Sequence, residues 1–168
     1  AWIRRPSSTR SKPPSRVERW LLAPLLLLLA GAAHALPPAF TARYEVSHSG
    51  LTLGETTVRY QQIGPDRYRY SSLTRPVGVT TMFYDAQIEE VSEGRITADG
   101  FKPERYSYDR SGQRARAASL VFDWQRHRVR NDVEGRSWDM AIPENTLDRM
   151  VSQLQLMRDL ARQEQNLT

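Results

Sequence analysis

Five carboxylates in the body of this chain could do chemistry in pairs: Asp85, Glu89, Glu90, Asp123 and Asp139. Two carboxyl groups flanking a glycosidic bond can cleave it, one donating a proton to the leaving oxygen and the other activating water or attacking the sugar. Glu89 and Glu90 are neighbours on a predicted strand and point to opposite faces, so they cannot act as a pair. Asp85 and Glu89 share a predicted face, where the simpler reading is a charged outer row on a half-solvated sheet. Asp123 sits between Phe122 and Trp124 and faces solvent if those two face the core. His48 and His127 fall in predicted turns, where a histidine is a solvated polar group. The sequence holds no Gly-x-Ser-x-Gly elbow, no phosphate-cradling glycine loop and no His-Glu-x-x-His pair. With zero cysteines and scattered histidines, a zinc site is not expected. The expectation is a protein without catalytic residues, cofactor or metal.

The aromatic residues form a more suggestive set. Tyr68 and Tyr70 share one strand face, as do Tyr106 and Tyr108, with Arg67, Arg69 and Arg105 alternating with them. In one reading the tyrosines make cross-strand pairs, each contributing roughly 0.2–1 kcal/mol, and cover the sheet. In the other they line an amphipathic trough for an acyl chain, glycan or peptide. On that second reading the ligand-binding candidates are Tyr68, Tyr70, Tyr106, Tyr108 and Trp124.

The elements that must position these residues are mostly strands. Alternation with period two, rich in Tyr, Thr, Val and Phe, predicts strands over 40–47, 51–62, 67–74, 80–92, 102–109, 117–124, 128–133 and 137–142. Turns are expected at His48-Ser49-Gly50, Gly64-Pro65-Asp66, Glu93-Gly94, Ser111-Gly112-Gln113, Gln125-Arg126-His127 and Glu134-Gly135. Short links imply an antiparallel meander. After Pro143 the period changes: Leu147, Met150, Val151, Leu154, Met157, Leu160 and Ala161 fall at helical spacing, with Asp148, Arg149, Gln153, Arg158, Asp159, Arg162 and Gln163 opposite. This predicts a half-buried helix over about 145–163, capped by Asn145 or Thr146, with Asp148 in its first turn. The fold expected is mainly β, an antiparallel sheet curled into a partial barrel around one amphipathic helix. The last residues, Asn166-Leu167-Thr168, carry no convincing terminator, and further strands are expected beyond them.

The N-terminal segment reads as an address. Arg16 and Arg19 precede an apolar run from Trp20, and Ala33-His34-Ala35 supplies small residues at −3 and −1 of a cut after Ala35, the pattern of a cleaved secretory signal. From Trp20 to Ala32 there are 13 residues, short of the roughly 20 that a membrane-crossing helix needs. Residues 1–15 are Ser-, Pro- and Arg-rich, as a disordered lead is. The domain division is thus 1–35, lead and signal, and 36–168, one β-rich domain. The chain has net charge +5, yet six basic residues and one acidic residue precede Leu36. Residues 36–168 therefore hold 18 basic and 18 acidic residues and are formally neutral. That balance argues against a nucleic-acid partner, which requires a basic face. Without cysteines there is no disulfide framework, so 133 residues must build an ordinary core.

Several local patterns occur in a recognisable order: Tyr44-Glu45-Val46, Gly50-Leu51-Thr52-Leu53-Gly54-Glu55, Gly100-Phe101-Lys102-Pro103-Glu104-Arg105-Tyr106, Val121-Phe122-Asp123-Trp124, and Pro143-Glu144-Asn145-Thr146-Leu147-Asp148. Over roughly 40–160 the chain resembles bacterial exported proteins of the domain of unknown function family numbered 3108. The resemblance implies an exported N-terminus and a β-rich body, and carries over no catalytic residue. Taken together, these readings lead us to expect a periplasmic, non-catalytic protein, with no permanent membrane span after cleavage, that binds a lipid or other amphipathic envelope component in its concave sheet. The alternative is an envelope assembly protein that pairs with a protein partner through a sheet edge, and a carboxylate-dependent hydrolase is a third reading.

Overall fold

The computed structural model describes residues 37–112 and 114–166; the expected lead and signal segment lies outside the described residues. Eight strands follow one another: β1 Phe40–His48, β2 Leu51–Gly64, β3 Arg67–Pro76, β4 Ile88–Ile96, β5 Phe101–Arg110, β6 Arg116–Asp123, β7 Arg128–Val133 and β8 Arg136–Ala141. They form one antiparallel sheet whose spatial order is the sequence order, with β1 and β8 as its two edges, so the sheet does not close. The β1–β2 and β7–β8 links each set two successive residues at positive φ, Ser49 (51°) with Gly50 (78°) and Glu134 (54°) with Gly135 (80°). This is the turn geometry whose twist matches that of the strands it joins.

β4 departs from the sequence expectation. The stretch expected to open it, from Thr80, instead forms a 3-10 turn over Gly78–Met82 and then an irregular segment, and the strand runs on past Glu93-Gly94 to Ile96. Pro76 cannot donate to a sheet ladder, and Gly78 at φ 60° turns the chain away, so the apolar residues that follow do not pair. The true link to β5 is Thr97-Ala98-Asp99-Gly100, closed by Thr97 N donating to Gly100 O at 2.7 Å. Gly94 serves another purpose: pairing with β5 slips between Glu93 and Gly94. A Cβ at Gly94 would lie 2.2 Å from the Lys102 carbonyl oxygen. Gly94 therefore marks a bulge with close strand approach and not a chain reversal.

The helix, α1, spans Val151–Asn166, later than expected. Its cap is Asp148, whose Oδ1 accepts from Met150 N at 2.8 Å and Val151 N at 2.9 Å. Thr146 instead closes the preceding turn by donating to Pro143 O at 2.9 Å. Met150, Val151 and Leu154 pack on Tyr60, Tyr68, Tyr70, Phe101 and Tyr106 to make the main core. Burying each aliphatic side chain there contributes about 1.5–3 kcal/mol. Phe101 meets Tyr60 and Tyr68 edge-on, at 6.0 and 5.2 Å between centroids, the arrangement ring quadrupoles favour. A smaller cluster gathers Phe122, Val129 and Ile142, with Trp124 stacked on Phe122 at 5.5 Å.

The inner line of α1 continues from Leu154 to Arg158, which is buried and donates to Ala98 O at 2.7 Å. Met157 and Leu160, expected to face inward, lie exposed on the flank, as does Leu156. At 3.6 residues per turn, positions 151, 154 and 158 stay on one line while 157 and 160 rotate off it. The helix thus runs from mid-sheet toward the β4–β5 turn and leaves the far half of the same face without helical cover. On the opposite face, Arg67 and Arg95 both pair with Glu104 at 2.9 Å, and Arg69 pairs with Glu93. Exposed pairs of this kind each contribute about 0–1 kcal/mol. Among the described residues no helix is long and apolar enough to cross a membrane.

Candidate functional site

Three places bring polar chemistry or open space together around the helix-bearing face. The first is a buried polar dock under the start of α1. Ser92 Oγ donates to Asp148 Oδ2 at 2.6 Å and takes the Tyr68 hydroxyl at 3.0 Å. Beside it, the Tyr106 hydroxyl donates to Glu90 Oε1 at 2.6 Å and Arg149 donates to Glu90 Oε2 at 2.9 Å. Burial pushes the Asp148 carboxyl above the usual carboxylate range, against the opposing pull of donors from Ser92, Val151 and Met150, and Glu90 adds a like charge nearby. Burial likewise raises the phenols of Tyr68 and Tyr106. Each carboxylate is engaged by donors from the fold itself, so the cluster fixes where the helix sits.

The second place is a pocket of about 240 Å³ at the uncovered end of the face. Val46, Gly54 and Pro76 stand in register across β1–β3, and Thr74 faces Ile88 across β3–β4. The segment after the 3-10 turn folds back over them and contributes Tyr84 and Ala86. Most of the wall is apolar; of its polar side chains, Thr74 is hydrogen-bonded to Thr56 at 2.9 Å and Arg75 is paired with Glu55 at 3.3 Å, whereas Thr80 Oγ1 is buried and makes no hydrogen bond among the described residues. A larger groove of about 580 Å³ lies beside α1, lined by Thr97, Asp99, Lys102, Glu144, Gln155 and Asp159. There Gln155 already donates to Asp159 at 2.9 Å and accepts from Phe101 N at 3.0 Å. Among the described residues no group of three or more His, Asp or Glu side chains is arranged to hold a metal ion.

The five aromatic candidates take different positions. Tyr68, Tyr70 and Tyr106 are buried beneath α1, and Tyr70 donates to Gln153 at 3.3 Å. Tyr108 is half-buried at the margin of the same core. Trp124 lies apart in the smaller cluster, with its indole N–H on Pro103 O at 2.6 Å and the Lys102 ammonium 4.7 Å above its ring. Of the carboxylates, Glu90 is buried and Glu89 exposed, as opposite faces require. Asp85 lies in the loop before β4, so it does not share a strand face with Glu89. Asp123 accepts from Gln125 N, Arg126 N and the Arg126 guanidinium, which hold it below the usual range and cap the β6–β7 turn. Sequence reasoning missed the pocket because it read the stretch from Thr80, which supplies Thr80, Tyr84 and Ala86 to the wall, as the start of a strand; Pro76 and Gly78 were the signal that it is not.

An open antiparallel meander, with one helix docked over half of one face and an apolar pocket beside it, defines this molecule as a single-sheet α+β domain. The model of the family described as "Protein of unknown function (DUF3108)" matches residues 43–167, and the chain belongs to that family. Neither the curated proteins nor the solved structures yield a match.

Proposed function

We propose that the protein is an exported, non-catalytic binding protein that takes part of an apolar or amphipathic envelope component into the pocket between β1–β4 and the segment around the 3-10 turn. The pocket carries this reading: mostly apolar side chains line it, and beside the paired Thr74 and Arg75 the Thr80 hydroxyl is buried without a partner among the described residues. Such a slot suits a molecule with a hydrocarbon body and a polar head, because the head satisfies a hydroxyl that is otherwise costly to bury. At about 240 Å³ it falls just below the roughly 300–1,000 Å³ of drug-sized sites, so it suits a chain segment better than a whole lipid. A sheet curled toward α1 would deepen it. Tyr68, Tyr70 and Tyr106 serve here as the packed floor under the helix, and the periplasmic address comes from the signal pattern in residues 16–35.

The test uses protein recovered from the periplasm of cells expressing the full chain. N-terminal sequencing should begin at Leu36, and a fluorescent fatty acid should bind saturably. Val46→Trp, a change at an exposed rim position, should weaken that binding about tenfold, which corresponds to about 1.4 kcal/mol, with the melting temperature unchanged. Absence of saturable binding to the unmodified protein would overturn the reading. A second reading, pairing with a partner's strand, draws on β8, which is exposed at all its residues and lies at a sheet edge. Crosslinking in whole cells separates the two: an assembly protein traps one defined protein, whereas a carrier traps lipid.

A further inference from the structure

The two ends of the sheet differ in a way that neither the family nor the pocket explains. One end gathers the β1–β2 turn, the loop between β3 and β4, the β5–β6 loop and the β7–β8 turn. Its apex is apolar and open to solvent: Met82 is 79% exposed, Phe83 78% and Val79 52%, with Leu51 nearby in the order of turns at 48%. Globular surfaces seldom present several large apolar side chains on consecutive turns unless they meet something. Around this apex, the loops and strand ends over 46–52, 75–88, 110–116 and 133–136 hold five arginines (Arg75, Arg110, Arg114, Arg116, Arg136) against two acids, Asp85 and Glu134; Arg75 is already paired with Glu55 at 3.3 Å, which leaves four to face outward partners. The segments at the opposite end, 63–67, 96–101, 124–128 and 142–149, hold four arginines and four acids, with Ile63 as their one large exposed apolar side chain among the described residues. Residues 36–168 are neutral as a whole, so the excess of positive charge is concentrated where the apolar residues protrude.

We infer that this end docks on the surface of an anionic phospholipid bilayer, with Met82 and Phe83 entering the headgroup–acyl boundary and the arginines meeting lipid phosphates. An apolar tip ringed by cations is the arrangement that binds such an interface: buried apolar area and attraction to anionic lipid add, each basic residue near the surface contributing about 1 kcal/mol. Arg110 is held in place for this, its guanidinium 5.7 Å from the Tyr84 ring and donating to the Tyr84 hydroxyl. The same Tyr84 lines the apolar pocket, so docking sets the pocket beside the lipid. The inference goes beyond pocket binding and does not depend on it, since a protein could dock without an occupied pocket, or bind a fatty acid in solution without docking.

The chain contains no cysteine, so Thr81→Cys on protein recovered from cells expressing the full chain accepts a single environment-sensitive fluorophore at the apex. With vesicles of phosphatidylglycerol and phosphatidylcholine the emission should shift to the blue, and with phosphatidylcholine alone it should not. Raising salt should reverse the shift. Arg114→Glu with Arg116→Glu should weaken vesicle binding at least about tenfold. Met82→Ser with Phe83→Ser should abolish the site-specific signal while leaving fatty-acid binding in solution intact. No shift on anionic vesicles, an equal shift on both vesicle types, or a dimer in sedimentation that dissociates in the Met82→Ser, Phe83→Ser protein would each overturn the inference.

Discussion

Ser92 in β4 and Asp148 at the start of α1, 56 positions apart in the chain, share a buried hydrogen bond of 2.6 Å. Asp148 spends its other oxygen on the first amides of the helix, so one carboxylate both caps α1 and fastens it to the sheet. Asp148→Ala removes the acceptor for three donors, costing about 1 kcal/mol for the cap and about 1–3 kcal/mol for a buried donor left without a partner. Asp148→Asn keeps an oxygen for the amides and offers its NH₂ to Ser92, so its loss at neutral pH should stay within about 1 kcal/mol. Urea unfolding of both variants checks this; equal losses would show that the oxygen is not what holds the helix.

The same carboxylate gives stability a pH dependence. Burial raises the Asp148 pKa in the folded protein, so the native state keeps this proton to higher pH than the unfolded chain does. Its contribution is fully present below the unfolded value, about 3.9, and is lost as pH rises through the raised folded value. Relative to Asp148→Asn, the unmodified protein should therefore lose stability as pH rises from about 4 toward neutrality. Urea midpoints of the two proteins across that range provide the measurement, and a difference that stays constant would rule Asp148 out as the group responsible.

Tyr106→Phe should cost more than Tyr70→Phe. The first leaves an oxygen of the buried Glu90 without its 2.6 Å donor, a loss of about 1–3 kcal/mol. The second removes a 3.3 Å contact to Gln153, which is exposed, and should cost less than about 1 kcal/mol. Thermal or urea melts of the pair would show whether the Glu90 side of the dock bears on stability.

Gly94→Ala and Gly64→Ala form a second pair. At Gly94 the new methyl carbon meets the Lys102 carbonyl oxygen at 2.2 Å and the Pro103 Cα at 2.7 Å, both backbone atoms. One of the two strands must move, at about 1–3 kcal/mol or more. At Gly64 the nearest atom is the Arg67 Cβ at 3.5 Å, an ordinary contact, and the change should fall within about 0.5 kcal/mol. Equal effects at the two sites would mean that the bulge is not rigid.

Seven of the eight strands were legible in the sequence because one face of each alternates apolar with polar, and register follows from that alternation once short turns are fixed. β4 was not, because Gly94 carries the composition of a turn while serving a bulge, and the stretch from Thr80 carries the composition of a strand while supplying Thr80, Tyr84 and Ala86 to the wall of a pocket. The helix was legible in kind and in the inward facing of Met150, Val151 and Leu154, but not in its start or in the facing of its second half. Its cap acts through Ser92, which no local pattern reveals, and Arg158 takes an inner position because the Ala98 carbonyl is there to receive it. The aromatic candidates were recognised as a set on shared faces. Their burial under α1 could not be read from strand parity, since parity tells which residues lie together and not what covers them.

Because each strand of this sheet pairs with the one made just before it, the β-meander can grow from its first hairpin onward, each step pairing a strand with its neighbour in sequence. The helix cannot: its contacts reach back from residues 148–158 to residues 60–106, and the entropy of closing that long loop is recovered only once the inner strands exist. Helix docking is thus the late step of folding, and until it happens the tyrosines of the core stand open to solvent. Pulse-labelled hydrogen exchange should accordingly find the β2–β5 amides protected before those of α1, a sequence of events set by strand order alone.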